Sequence, residues 1–228
     1  MSTRDLELAT NLQMVQKRMA AACKLANREP SSVTLIAVTK TYPVSDVQTL
    51  QKLGVLNFGE NRDDEGAQKS QLVTAHWHFQ GQVQSKKLRS IASWAKTIHS
   101  IDSLEHLEKL SRTLQDSGKV VEVFLQLSLD GDPSRGGAEI NEVLALAAAT
   151  TVMREIKLAG LMCVPPAQWE HERAFSEIAQ KAAVFAREFP ESAAISAGMS
   201  GDFETAIKYG ATHIRVGSQI LGSRTYPQ

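Results

Sequence analysis

The sequence predicts an α/β protein folded as a closed (β/α)8 barrel of TIM type, with one extra helix before the first strand. Three observations lead there. Short β-branched runs alternate with helix-patterned segments along the whole chain, an alternation that builds parallel sheets. Eight such units fit into 228 residues, close to the usual size of a closed barrel. The turn after the first strand, Thr39-Lys40-Thr41-Tyr42-Pro43, lacks the glycine-rich turn of an open dinucleotide-binding sheet. No low-complexity stretch or charge block marks a boundary, so residues 1–228 read as a single domain.

The elements follow in order. Leu8, Leu12, Val15, Met19 and Cys23 recur at three- and four-residue spacing and form the stripe of the leading helix, which Pro30 prevents from continuing. Residues 33–40, VTLIAVTK, are almost continuously apolar, the pattern of a strand buried on both faces. Helices are then expected over 44–53, 62–73, 83–92, 104–114, 140–149, 169–189 and 203–209. Strands are expected over 55–58, 76–79, 97–101, 120–129, 156–164, 194–197 and 213–216, those over 55–58 and 194–197 carrying the weakest pattern.

Composition excludes several classes. Lysine and arginine total 25 against 25 aspartates and glutamates, so the basic field of a non-specific nucleic-acid binder is absent. No apolar run approaches the roughly 20 residues of a membrane helix, and the first residues carry no signal-peptide core. Cys23 and Cys163 stand far apart in apolar runs and make no metal-ligand pattern. A cytoplasmic protein with reduced thiols, bound to neither membrane nor nucleic acid, is expected.

Barrel chemistry sits at the C-terminal ends of the strands, with phosphate sites beside the seventh and eighth. Lys40 ends the first strand, where apolar walls favour a neutral amine suited to Schiff-base chemistry; a surface lysine with a buried stem is the plainer alternative. Gly198-Met199-Ser200-Gly201-Asp202 follows the seventh strand and Gly217-Ser218 the eighth, two small-residue loops able to cradle an anion, or simply to cap helices. His213 and Arg215 point to one face of the last strand, Arg215 nearer the mouth. Arg215 needs an acceptor, either a carboxylate such as Glu60 or Asp102 or a ring nitrogen of a ligand. Asn61 is placed to orient a ring hydroxyl, and His78 to line the pocket, with His76 beside it on the same face. Arg135, in the loop 130–137, is expected to be free to meet an anion, and the run Asp63-Asp64-Glu65 to be a solvated helix start.

These residues carry a family likeness. The strings LIAVTKTYP around Lys40, FGEN (58–61), HWHFQGQVQSKK (76–87), IHSIDS (98–103), LAGLMCVPP (158–166), SAGMSGDFETAI (196–207) and IRVGSQILGSR (214–224) keep their order across nearly the whole chain. The sequence resembles the pyridoxal phosphate homeostasis proteins, relatives of the N-terminal barrel of alanine racemase. The resemblance implies pyridoxal 5′-phosphate carried as a Schiff base on Lys40. It implies a phosphate held by Ser200 with the Met199 backbone and by Gly217 with Ser218, Arg215 at the pyridine nitrogen, and Asn61 near the ring. Departures from the family are Ser218 in place of threonine, Gln80 in place of an aliphatic residue, and Lys86 in place of asparagine.

The implied function is storage, buffering or delivery of the cofactor to pyridoxal-phosphate-dependent apoenzymes, with indirect effects on amino-acid and keto-acid metabolism. Little or no catalytic turnover and a monomeric state are expected, because the sequence ends soon after the eighth strand, without the β domain that supplies a tyrosine in alanine racemases. An amino-acid racemase or decarboxylase using the same lysine is the alternative. A class I aldolase, with Lys40 joined directly to a sugar phosphate, is the third.

Overall fold

The computed structural model describes residues 2–115 and 117–222, and the Ser223-Arg224 end of the last family string lies outside them. The leading helix α1 (Thr3–Leu25) is followed by β1 (Thr34–Val38), α2 (Val44–Lys52), β2 (Asn57–Glu60), α3 (Asp63–Leu72) and β3 (His76–Phe79). Next come α4 (Leu88–Trp94), β4 (Thr97–Ile101), α5 (Leu104–Gln115), β5 (Val121–Leu127), α6 (Ile140–Thr150) and β6 (Ile156–Cys163). The order ends with α7 (His171–Glu188), β7 (Ala194–Ser196), α8 (Phe203–Lys208), β8 (His213–Val216) and the short α9 (Ser218–Leu221). Each strand pairs in parallel with the next, and β8 closes on β1 from Thr34↔His213 to Ala37↔Val216. The predicted barrel is therefore closed.

Strand periodicity divides the side chains between two compartments. Outward residues such as Phe58, Trp77 and Ile98 are fully or almost fully buried against the helices, each worth roughly 1.5–3 kcal/mol of burial. The interior is more polar than the usual branched aliphatic filling: His78, His99, Ser196 and Arg215 are all buried there.

Several boundaries differ from expectation: the helix expected over 83–92 begins at Leu88, after a separate turn over Ser85–Lys87, and β5 is shorter than the expected 120–129. The second strand covers Asn57–Glu60 rather than residues 55–58, because Gly59 pairs with Val38 on one side and His78 on the other. Glycine and glutamate weaken a strand signal that the neighbouring strands nonetheless impose. The leading helix begins at Thr3, earlier than its apolar stripe, because Ser2 and Asp5 close a capping box. That helix holds α9 and α2: Arg4 donates to Asp46 at 2.6 Å and to the Leu221 carbonyl at 2.9 Å, and Asn11 donates to the Ile220 carbonyl at 3.1 Å.

Asp63 is not solvated as the sequence suggested. Its carboxylate is buried and accepts from Trp94 Nε1 at 3.0 Å. Glu60 points outward from β2 and is fully buried, accepting from Lys69 Nζ at 2.7 Å and Thr39 Oγ1 at 2.7 Å. Burial pushes the Glu60 pKa up, against the opposing pull of Lys69 and Thr39. Removing the cation strands a buried carboxylate. Lys69→Ala is expected to lower unfolding free energy by about 3–5 kcal/mol in urea titrations. The double change Glu60→Gln with Lys69→Met should recover a large part of that loss, and a Lys69→Ala protein as stable as the parent contradicts the assignment.

Candidate functional site

A cavity of about 370 Å³ opens at the C-terminal ends of β1, β2, β3, β7 and β8. Lys40, Asn61, Met199, Ser200, Arg215, Gly217 and Ser218 all line it, so the structure gathers these predicted residues from separate strands. Tyr42 and Gln80 also line it, and no histidine or carboxylate does among the described residues. The lining is therefore cationic.

Lys40 stands on a braced turn. Thr41 adopts φ +69°, a left-handed conformation that a β-branched residue seldom takes, at a cost of about 1–3 kcal/mol. Its N–H donates to Glu65 Oε2 at 2.6 Å, and Lys69 Nζ donates to the Thr39 carbonyl at 2.8 Å. Lys69, paired with buried Glu60, thus holds the backbone before Lys40, and Glu65, 3.4 Å from the same Nζ, holds the backbone after it. Glu65, expected in solvent, is part of that brace.

The seventh and eighth loops meet. Gly217 N–H donates to Ser200 Oγ at 3.3 Å, joining them directly. Gly198 holds φ +95°, and a Cβ there would come within 2.6 Å of Ala206, so the loop can turn tightly onto α8 only with glycine. One expectation needs correcting. The Met199 N–H, taken as an anion donor, donates instead to Asp202 Oδ1 at 2.5 Å. The aspartate caps its own turn, which leaves Met199 to contribute its side chain.

Arg215 is 6% exposed, and its partners are neutral. Nη1 donates to the Ser196 carbonyl at 2.7 Å and to Ser196 Oγ at 2.8 Å, and Nη2 donates to the Cys163 carbonyl at 3.1 Å. Neither Glu60 nor Asp102 meets it: Glu60 faces Lys69, and Asp102 accepts from the Gly137 N–H. Burial pushes the Arg215 pKa down to about 10, so the group keeps its charge at neutral pH. The adjacent Cys163 thiol is pushed up to about 12 by the same burial and stays protonated.

His78 does not line the pocket. It lies deeper in the barrel, with Nδ1 2.9 Å from His99 Nε2 and Nε2 3.1 Å from Asn57 Oδ1. The alternation along β3 puts His78 inside, as expected, but two residues below the mouth, where Gln80 stands. Arg135 is likewise committed elsewhere, to Asp130 at 2.9 Å and to the carbonyls of Val164 and Pro165 at 2.7 Å each.

Tyr42, which lines the cavity, and the interior residues Asn57, His99 and Ser196, which connect to Arg215, were not singled out from the sequence. Only the inward phase of their strands could have flagged the last three. Gln80 registered only as a departure from the family. It packs so closely over Gly59 that a Cβ there would come within 2.8 Å of Gln80 Oε1. Its Nε2 is a buried donor with no acceptor among the described residues.

A parallel barrel with this mouth defines a class, and sequence comparison agrees: the profile of the alanine racemase N-terminal domain matches residues 8–225. A protein of Corynebacterium glutamicum named pyridoxal phosphate homeostasis protein is 44% identical over 218 residues, covering 92% of this chain and 99% of its own. A protein of the same name from Escherichia coli K12 is 33% identical, covering 96% and 98%. The chain belongs to the pyridoxal phosphate homeostasis protein family. Among solved structures, PipY of Synechococcus elongatus with pyridoxal phosphate bound superposes with TM-score 0.79 at 30% identity, covering 91% of this chain and all of its own. Alanine racemase of C. glutamicum, at 14% identity and TM-score 0.73, shares the fold.

The interior histidines set a pH dependence. Burial lowers His213 from 6.5 to about 4, and holds His78 and His99 well below the ordinary value. The unfolded chain takes up protons that the folded chain refuses, so stability falls as pH drops below 6.5 and goes on falling to about 4 for His213. Each imidazole contributes at most about 1.4 kcal/mol per pH unit. Urea midpoints measured from pH 7.5 to 5 should decline steadily, and a flat or rising profile contradicts neutral interior histidines.

Proposed function

We propose that this chain binds pyridoxal 5′-phosphate reversibly and serves to store, buffer or deliver it, with residues 1–228 acting as one binding unit. The observation that carries this reading is the mouth itself. One amine, one buried arginine and two joined hydroxyl-bearing loops share a single cavity that no carboxylate lines among the described residues. Such a lining suits a phosphate dianion. The partnerless Gln80 Nε2 adds a donor in want of an acceptor, which a polar ring substituent supplies.

When bound, the cofactor supplies an aldehyde carbon that bonds covalently and reversibly to an amine. Lys40 is that amine in this reading. Ser200 and Ser218 hold the phosphate through their hydroxyls, with the Gly217 backbone beside them. Asn61 orients the ring, and Arg215 donates an N–H to the ring nitrogen. An arginine there keeps its own proton, which leaves the nitrogen unprotonated and the ring a weak electron sink.

Binding without turnover is the function this lining supports. A racemase needs two positioned acid–base groups, one for each face of the substrate carbon. Beside Lys40 the pocket offers Tyr42, whose hydroxyl donates to the Gly222 carbonyl at 2.7 Å. The names of the relatives and the ligand of PipY support the same cofactor. The recipients we propose are pyridoxal-phosphate-dependent apoenzymes, with the protein acting as a cytoplasmic monomer. Among the described residues, no helix is long and apolar enough to cross a membrane.

Borohydride reduction followed by peptide mapping should find the cofactor mass on Lys40. Lys40→Ala should lose the yellow colour yet keep the far-UV circular dichroism of the barrel. An adduct on another residue, or none, overturns the reading. Arg215→Ala should weaken cofactor binding by roughly tenfold or more, the usual size for a lost charged hydrogen bond. Free amino acids incubated with the loaded protein in deuterium oxide should retain their α-hydrogen; rapid exchange supports the racemase instead.

A further inference from the structure

We propose that Asn57, His78, His99 and Ser196 form a one-directional chain of hydrogen bonds that sets the Arg215 guanidinium in place for the ligand ring. His99 and Ser196 are then positioning residues. The inference rests on the cofactor reading above and deepens it by naming what orients its arginine.

The chain crosses the barrel. Asn57 Oδ1 lies 3.1 Å from His78 Nε2, His78 Nδ1 lies 2.9 Å from His99 Nε2, and His99 Nδ1 lies 2.8 Å from Ser196 Oγ. Arg215 Nη1 reaches the same Oγ at 2.8 Å. Since β4 and β7 are not neighbours in the sheet, the His99–Ser196 bond must pass through the interior. Phe124 stacks on His99 with centroids 4.6 Å apart and an interplanar angle of 14°, which holds the ring flat in this line.

Its direction follows from valence. An amide oxygen only accepts, so His78 Nε2 must carry a proton. With that ring neutral, His78 Nδ1 accepts, so His99 Nε2 carries a proton and His99 Nδ1 accepts. Ser196 therefore gives its hydroxyl proton to His99 and turns a lone pair toward Arg215, a group that only donates. Both ends require the same polarity. Each bond strengthens its neighbours in a low-dielectric interior, which makes Ser196 Oγ a better acceptor than an isolated serine.

The consequence is a fixed guanidinium. Three of its five N–H groups are committed to Ser196 and Cys163, and Arg215 lines the cavity. The charged and titratable groups facing the chain are His76 on β3, Glu122 on β5, and His213 and Arg215 on β8. Burial, reinforced at His99 by the Arg215 charge, keeps both rings neutral.

Nitrogen-15 spectra of the unmodified, cofactor-free protein test the polarity without any variant. His78 and His99 should both be neutral with the proton on Nε2, and a proton on Nδ1 of either ring overturns the proposal. Ser196→Ala removes only the hydroxyl and leaves the carbonyl that Arg215 also uses. It should raise the pyridoxal phosphate dissociation constant by roughly tenfold and shift the visible band of the bound cofactor, and Ser196→Thr should restore both. Wild-type affinity with an unchanged band in Ser196→Ala overturns this inference alone, because the wild-type adduct on Lys40 still stands. Failure of the wild type to form that adduct overturns the cofactor reading, and with it the task assigned to the chain.

Discussion

A positive charge sunk into the mouth of a barrel, with two carbonyls and a hydroxyl among the described residues to receive its protons, constrains much of this protein. Among the described residues no carboxylate hydrogen-bonds to Arg215, so its desolvation is offset mainly by dipoles, with the more distant Asp202 charge adding to them. That demand accounts for a small hydroxyl residue at the end of the short seventh strand and for a sixth strand whose last carbonyl turns toward the same guanidinium. Lys40 and Arg215 both line the cavity, and no acidic side chain among the described residues does.

A second network works from the other side of the sheet. The residues that brace Lys40 point outward into the helical layer, where Glu60 and Lys69 are buried together and Glu65 takes the Thr41 N–H. The residues that hold Arg215 point inward. The period-two alternation of β-strands makes this division possible, since consecutive residues on one short strand serve opposite compartments. Asn57 and Glu60, three apart on β2, anchor the inner and outer networks respectively. The two basic residues that line the cavity are thus supported by independent sets of partners.

Much of this was legible beforehand, and the failures share one cause. The placement of Lys40, Ser200, Arg215 and Gly217 at the mouth was legible because barrel cavities open at strand ends, a rule that needs only the order of elements. Asp63, Glu65 and Arg135 were misjudged because a charged residue on a helix start or loop looks solvated until a tryptophan, a backbone amide or a pair of carbonyls from elsewhere is brought against it. Met199 was misassigned because Asp202 three residues on competes for its N–H, a local contest between an anion and a cap. His78 was given the correct face and the wrong depth.

The chain itself determined the alternation of elements, the number of strands and the residue types at their ends. Those follow from hydrophobic periodicity and turn chemistry acting over a few neighbours. Which side chains meet across the interior was decided only when the eighth strand closed on the first. His99 and Ser196 stand 97 positions apart and share a hydrogen bond because the stagger of a closed sheet brings their strands face to face. Local pattern carries no information about that stagger, since it belongs to the whole cylinder and to no single strand.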